Sequence, residues 1–274
     1  MPVATLTELL QNGVHFGHQT SRWNPKMRPY IFDSRGGIHI LDVSQTVDLL
    51  DSACEFAGDT VAQGGQILFV GTKKQARDTI DAECKRSHQP FVVNRWMGGM
   101  LTNFEVVKLQ LKRLTELSER QERDGFAGMI KKEQRRLEDE LDRLRRNFGG
   151  IAAMKRLPAA LFVVDPHKER LAVTEANKLA IPIIAITDSN CDPDEISHVI
   201  PGNDDAIRSV RLIVTRLTDA IVDGLDQRRQ IEAAQAAAAA ERAAQLRAAE
   251  EQAAAAEREA LAREQSEAAE EATE

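Results

Sequence analysis

Three short, unbroken apolar runs limit the possible folds most: Ile67-Leu68-Phe69-Val70, Ala160-Leu161-Phe162-Val163-Val164 and Ile183-Ile184-Ala185-Ile186-Thr187. A strand with one wet face alternates apolar and polar residues. A continuous run of four or five apolar residues closed by turn residues instead describes a strand buried on both faces, the situation of a parallel sheet covered by helices. Ile38-His39-Ile40-Leu41 and Phe91-Val92-Val93 read as further strands. The segments between strands carry helical periodicity. Val47, Leu50, Cys54, Ala57 and Val61 mark one helix, which Gly64-Gly65 ends, and Ala172, Ala176 and Leu179 mark the inward side of another. A last helix carries Ile207, Val210, Ile213, Val214 and Leu217 inward. Strands near 38–41, 67–70, 91–93, 161–165 and 183–187 with helices between them predict an α/β fold. Its sheet is doubly wound and mostly parallel, Rossmann-like or flavodoxin-like.

The α/β pattern is interrupted once. Residues 103–149 read as an antiparallel α-helical (coiled-coil) hairpin, with Leu111, Leu114 and Leu117 on one arm, Leu137, Leu141 and Leu144 on the other, and Asp124-Gly125-Phe126-Ala127-Gly128 between them. The expected organisation is a discontinuous α/β domain (1–102 and 150–225), the hairpin (103–149) and an Ala/Glu-rich tail (226–274), either helical or disordered. The joint before the hairpin is Arg95-Trp96-Met97-Gly98-Gly99-Met100-Leu101-Thr102-Asn103-Phe104. Its glycines permit angles a Cβ forbids, and Thr102 or Asn103 is suited to cap the helix that follows. Trp96 fits either a buried turn or a packed joint that also touches RNA.

Charge narrows the partners. The chain has 36 Lys+Arg against 43 Asp+Glu, a net of −7 over 274 residues. Most of that excess lies in the tail, while 101–157 is locally basic, so an RNA partner would have to be met by patches rather than by bulk charge. Cys54, Cys84 and Cys191 lie far apart without a C-x-x-C, as in a reducing compartment. Residues 1–30 show no signal-peptide pattern and no apolar run is long enough to span a bilayer, so the expected location is the cytoplasm, without a membrane partner.

Several groups of residues have chemistry of their own. Arg22-Trp23-Asn24-Pro25-Lys26-Met27-Arg28-Pro29-Tyr30 mixes cations, aromatics and rigid prolines without periodicity. It suits a surface-hugging loop or an RNA-contacting arm in which Arg22, Lys26 and Arg28 meet phosphates and Trp23 stacks. Lys73-Lys74 opens a helix at the end of a buried strand, where an open sheet places ligands and helix N-termini attract anions. Those lysines are either a phosphate clamp or solvated surface. No phosphate-loop or dinucleotide glycine pattern accompanies them. Lys131-Lys132 and Arg135-Arg136 form a basic stripe that is either a solvated helix face or a docking face for RNA. His15 and His18 could share a face and hold a metal, but the ordinary reading is hydrogen-bonded histidines at a turn. Asp188, Asn190, Asp192, Asp194 and Glu195 crowd one loop, where turn and capping chemistry outweighs Mg²⁺ binding. No nucleophile–base pair is visible, and neither a cofactor nor a catalytic set is expected.

Those pieces also occur in a known order. His15-Phe16-Gly17-His18, Trp23-Asn24-Pro25-Lys26-Met27, Gly37-Ile38-His39-Ile40, Gly71-Thr72-Lys73-Lys74-Gln75-Ala76, the joint from Arg95 to Phe104, Asn190-Cys191-Asp192-Pro193-Asp194 and Ile200-Pro201-Gly202-Asn203-Asp204-Asp205 together resemble the bacterial small-subunit ribosomal protein S2 family. The resemblance covers residues 5–225 and leaves the tail out. It implies a non-enzymatic role in translation: binding small-subunit ribosomal RNA and neighbouring small-subunit proteins, and supporting the large, flexible first protein of that subunit. By position it puts Arg22, Lys26, Lys73, Lys74, Arg95 and Asn103, with the hairpin cations, on the RNA side. The rival reading is a nucleotide- or sugar-binding α/β enzyme using the crevice at the strand ends.

Overall fold

The computed structural model describes residues 3–271, with side chains described through Ala240 and at Arg242. The chain divides into two units, 1–226 and 227–274. Five parallel strands, β4 (Ile67–Val70), β5 (Phe91–Val92), β6 (Ala160–Val164), β7 (Ile183–Thr187) and β8 (His198–Pro201), form the central sheet in the order β5-β4-β6-β7-β8. The continuous apolar runs are indeed its buried interior. Every residue of β4, β6 and β7 is buried. Pleating sends alternate residues to opposite layers. Ile67, Phe69, Phe162 and Ile186 face a layer made by α2 (Val43–Ala62), α3 (Lys74–Ser87) and the start of α7 (Ile207–Glu271). Leu68, Val70, Leu161 and Val163 face α6 (Arg170–Lys178) and the helix pair α4 (Phe104–Asp124) and α5 (Lys131–Phe148). Each fully buried Leu, Ile or Phe contributes roughly 1.5–3 kcal/mol.

The helix pair leaves the sheet after β5 and returns before β6. Leu111, Leu114 and Leu117 of α4 are buried together with Leu141 and Leu144 of α5, and Arg113 forks onto the Glu140 carboxylate, with Nε–Oε1 at 3.0 Å. At the turn, Phe126 is fully buried with φ +61°, an unusual backbone for an aromatic residue, and the Arg120 guanidinium lies over its ring at 5.9 Å.

Several expectations need correction. Ile38–Leu41 (β3) is not part of the parallel sheet. It is the middle of a separate antiparallel sheet, β1-β3-β2, with β1 (Phe16–Gln19) and β2 (Ile31–Arg35). Its burial alternates, with His39 and Leu41 inward and Ile38 exposed, the mark of a strand with one wet face. His15-Phe16-Gly17-His18 therefore enters and occupies a strand rather than a turn. β8 is a strand where Ile200-Pro201 suggested only a turn. Leu179 and Ile207 point to solvent. At the start, the capping box is as read: Thr5 and Glu8 bond reciprocally across the first turn of α1 (Leu6–Gln11). From residue 227 to 271 the tail is helical, and residues 227–240 of α7 are exposed or half-buried, while the last three positions lie outside the described residues.

Candidate nucleic-acid interface

The arm after β1 is held by internal contacts that leave its cations outside. It forms two 3₁₀ turns, Thr20–Arg22 and Pro25–Tyr30. The Asn24 side chain accepts from Lys26 N at 3.0 Å, the Asn24 backbone donates to Ser189 O at 2.8 Å, and Met27 is fully buried as the anchor. Arg22 and Arg28 face solvent without an ion pair among the described residues. Trp23 is half-exposed, its ring 5.2 Å from that of His39. Lys26 is shared between Asp192 and Asp194 at 2.8 and 2.7 Å, and these carboxylates hold its ammonium above the ordinary lysine range. Asp192 also caps the following turn by accepting from Asp194 N, which is turn and capping chemistry within the acidic loop.

The two lysines at the start of α3 part company. Lys74 is exposed and unpaired among the described residues. Lys73 turns inward and is only 9% exposed. Its ammonium meets Asp165 at 2.8 Å, Asp204 at 2.7 Å and Asp205 at 2.8 Å. The expectation of a paired-lysine phosphate clamp is therefore corrected for Lys73, whose donors are used within the fold. Burial pulls that ammonium down, but the three carboxylates outweigh it and hold it above its ordinary value. Burial, with Asp165 and Asp188 nearby, pushes Asp204 up to about 7, against the pull of Lys73.

This cluster sits where the chain reverses its winding, between the carboxyl ends of β4 and β6, the place an α/β enzyme keeps open for its ligand. Beside Lys73, Glu169 accepts from both the backbone N–H and the hydroxyl of Thr72. His18 of β1 closes the cluster from the other sheet. Its Nδ1 lies 2.9 Å from Asp188 Oδ2, and its backbone N–H donates to Asp188 at 3.0 Å and Ser189 at 2.9 Å. The bond to Asp188 raises the imidazole, with burial opposing. Donor atoms of His18, Asp188 and Asp204 lie within 4.8 Å of one another, and so do those of Asp165, Cys191 and Asp204. A cation could be shared in either set. His15 is not in either; its ring packs on Phe16.

The joint before α4 is organised by a residue that pattern reading passed over. Glu175 of α6 is 7% exposed, and its carboxylate accepts from Trp96 Nε1 (3.1 Å), Gly99 N (2.8 Å), Leu101 N (3.0 Å), Thr102 N (3.1 Å) and Thr102 Oγ1 (3.1 Å). Burial alone would raise this acid, but those donors hold it below its ordinary value. Thr102 is thus engaged by Glu175, and Asn103 sits at the N-cap without a side-chain bond, so neither caps α4. Gly99 takes φ +88°, which requires glycine. Trp96 is buried, whereas Arg95 and Asn103 are exposed, Arg95 without an ion pair among the described residues.

On α5, Lys131, Lys132, Arg135 and Arg136 are all exposed. The spacing i, i+1, i+4, i+5 gathers them on one side of the helix, and none has an ion pair among the described residues. Exposed cations among the described residues thus include those on the arm, at the α3 start, at the joint and along α5, side chains of the type that can meet phosphate.

Comparison with known proteins gives a consistent result. A profile of the family described as ribosomal protein S2 matches residues 9–224. The chain is 52% identical over 231 residues to the small ribosomal subunit protein uS2 of Roseiflexus castenholzii (strain DSM 13941 / HLO8), covering 84% of this chain and 88% of that one. It is 54% identical over 224 residues to the protein of the same name from Sorangium cellulosum (strain So ce56), covering 82% and 81%. The corresponding figures for that of Mycobacterium leprae (strain TN) are 52% over 228 residues, 83% and 82%.

Proposed function

This chain belongs to the ribosomal protein S2 family, and from that premise we infer that it is a structural constituent of the small ribosomal subunit, bound there to ribosomal RNA and to neighbouring proteins. The observation that carries the reading is the continuity of the match, which runs from residue 9 to 224 through both halves of the α/β domain and the α4–α5 pair. A shared sheet alone would say little about function. The chemistry is in keeping with it. The crevice an enzyme would use is filled by Lys73, Thr72 and their carboxylates, and the enzyme alternative has no support. Among the described residues no helix is long and apolar enough to cross a membrane.

Within that role, Arg22, Trp23, Arg28, Lys74, Arg95, Asn103, Lys131, Lys132, Arg135 and Arg136 form the RNA-facing set. Lys26 joins it by exchanging its carboxylate partners for phosphate, since solvent-exposed ion pairs of that kind are weak. Support for docking of the large first small-subunit protein is the second part of the proposal, and loss of that protein from subunits depleted of this chain is its test. For the central reading, a lysate is sedimented through a gradient at low Mg²⁺ while this chain is followed. Co-migration with small subunits through moderate salt is expected. Confinement to the top of the gradient would overturn the assignment.

A further inference from the structure

A groove of about 330 Å³ opens at the root of the helix pair, between the joint, the first turns of α4 and the last turns of α5. Its floor is apolar, made by Met100, Val107, Leu144 and Phe148. Its rim is polar, made by Asn103, Gln110, Asn147 and Arg143, and no carboxylate lines it. The three rim amides make no side-chain hydrogen bond among the described residues, and Arg143 has no ion pair there. Asn147 also borders a second groove, where Arg145, Arg146 and Lys85 gather and the one acid, Asp81, is paired with Lys85 at 2.6 Å. The end of α5 therefore separates an apolar slot from a basic channel.

Three uncommitted amides around an apolar floor would be a poor design for aliphatic side chains, which ask for no hydrogen bonds. They suit a ligand that is flat, apolar on its faces and edged with both donors and acceptors, because an amide supplies one of each. Unstacked nucleobases have that character, and sequence-specific RNA recognition works on such splayed bases. The cations on either side of Asn147 match the phosphates on either side of such a base. We propose that this groove receives one unpaired base of ribosomal RNA, read at its edge by Asn103, Gln110 and Asn147, with the flanking phosphates on Arg143 and on Arg145 and Arg146. The proposal rests on the ribosomal reading and adds to it a position and a type of recognition.

The test places a photoreactive benzoylphenylalanine at Val106, a groove residue 48% exposed and so tolerant of replacement, in the full chain assembled into small subunits. After irradiation, the cross-linked RNA is mapped by reverse-transcription stops. A single dominant stop next to an unpaired nucleotide is expected. Gly98→Phe serves as the block. Gly98 lines the groove, and a Cβ there meets no heavy atom within 4 Å, so the variant should fold and enter subunits while the stop disappears. Gln110→Ala with Asn147→Ala should raise the chemical reactivity of the same base by about tenfold, the loss of one edge-reading pair. Cross-links to a protein, stops spread along a duplex, or indifference to Gly98→Phe would each overturn the proposal while leaving the ribosomal role standing. Absence of the unsubstituted chain from subunits would overturn both.

Discussion

Replacing Glu175 by glutamine tests whether one buried carboxylate fixes the joint between the sheet and the helix pair. The two oxygens divide five donors: Oε1 takes Trp96 Nε1 and Gly99 N, and Oε2 takes Leu101 N, Thr102 N and Thr102 Oγ1. A glutamine of the same shape must turn its NH₂ toward one of these groups. Facing the first, it leaves an indole N–H and a backbone N–H unpaired. Facing the second, it leaves two backbone N–H groups unpaired, while the threonine hydroxyl can rotate to accept. Either way one buried and one partly buried donor lose their acceptor, at about 1–3 kcal/mol each, and the remaining bonds lose their charge assistance. The expected destabilisation is about 3–5 kcal/mol, a large share of a typical domain stability of roughly 5–15 kcal/mol. Urea unfolding followed by tryptophan fluorescence reads it, as a lower midpoint at unchanged slope. The pH dependence supplies a second arm. Because the folded-state pKa of Glu175 lies below its ordinary value near 4.5, its contribution is complete above that value and fades as pH falls through the folded one. The gap between wild type and Glu175→Gln should therefore be full at pH 7 and shrink in acid. A loss below about 1 kcal/mol at pH 7 would show that the donors find water or other acceptors, and a gap that persists unchanged in acid would show that charge is not involved.

Lys73→Met should cost about 3–5 kcal/mol in denaturant unfolding, since it strands buried carboxylates, whereas Lys74→Met next to it should stay within about 0.5 kcal/mol; equal effects would contradict the inward placement of Lys73. Gly224→Ala sets a Cβ against the Gly58 carbonyl oxygen where α2 meets α7, and should lower the melting temperature by the equivalent of about 1–3 kcal/mol. Gly98→Ala, in open space, should not. His18 is raised above 6.5 by Asp188, so its contribution is full below pH 6.5 and is lost as pH rises through the folded value. Thermal melts of wild type and His18→Gln should converge as pH rises above 6.5, and divergence on that rise would refute the pairing.

The central strands were legible because parallel strands buried on both faces must be apolar throughout, and little else explains Ile67–Val70 or Ile183–Thr187. The helix pair was legible from leucine spacing. What escaped shares one cause: the deciding partner is distant in sequence. β8 ends in Pro201 and reads as a turn, but it is an edge strand, where proline is tolerated. Lys73 and Lys74 look alike as a dipeptide, and only the fold brings Asp204 and Asp205, 131 and 132 residues later, onto one of them. Asp165 was visible as a carboxylate ending a strand, though not its left-handed backbone, φ +65°, nor its link to Lys73. Glu175 left a signal that could have been used: a carboxylate beside Ala172 and Ala176 on the inward side of a short helix must have donors waiting for it.

The placement of charge ties these details to the role. A doubly wound fold that binds a small ligand leaves its switch point open, and here it is filled by a lysine and three carboxylates that join the ends of β4, β6 and β8. Losing Lys73 would leave Asp165 and Asp204 buried without their cation, so the cluster is costly to open. Exposed cations without a carboxylate partner among the described residues include Arg22 and Arg28 on the arm, Lys74, Arg95 and the four at the start of α5. They are spread over several elements of a chain whose overall charge is −7. In the proposed RNA-facing role, such a surface would gain affinity from several phosphate contacts made at once, each needing the others in register, and not from long-range attraction. Binding of that type favours an RNA already folded by its neighbours, which is the setting of an assembling subunit rather than of free RNA in solution.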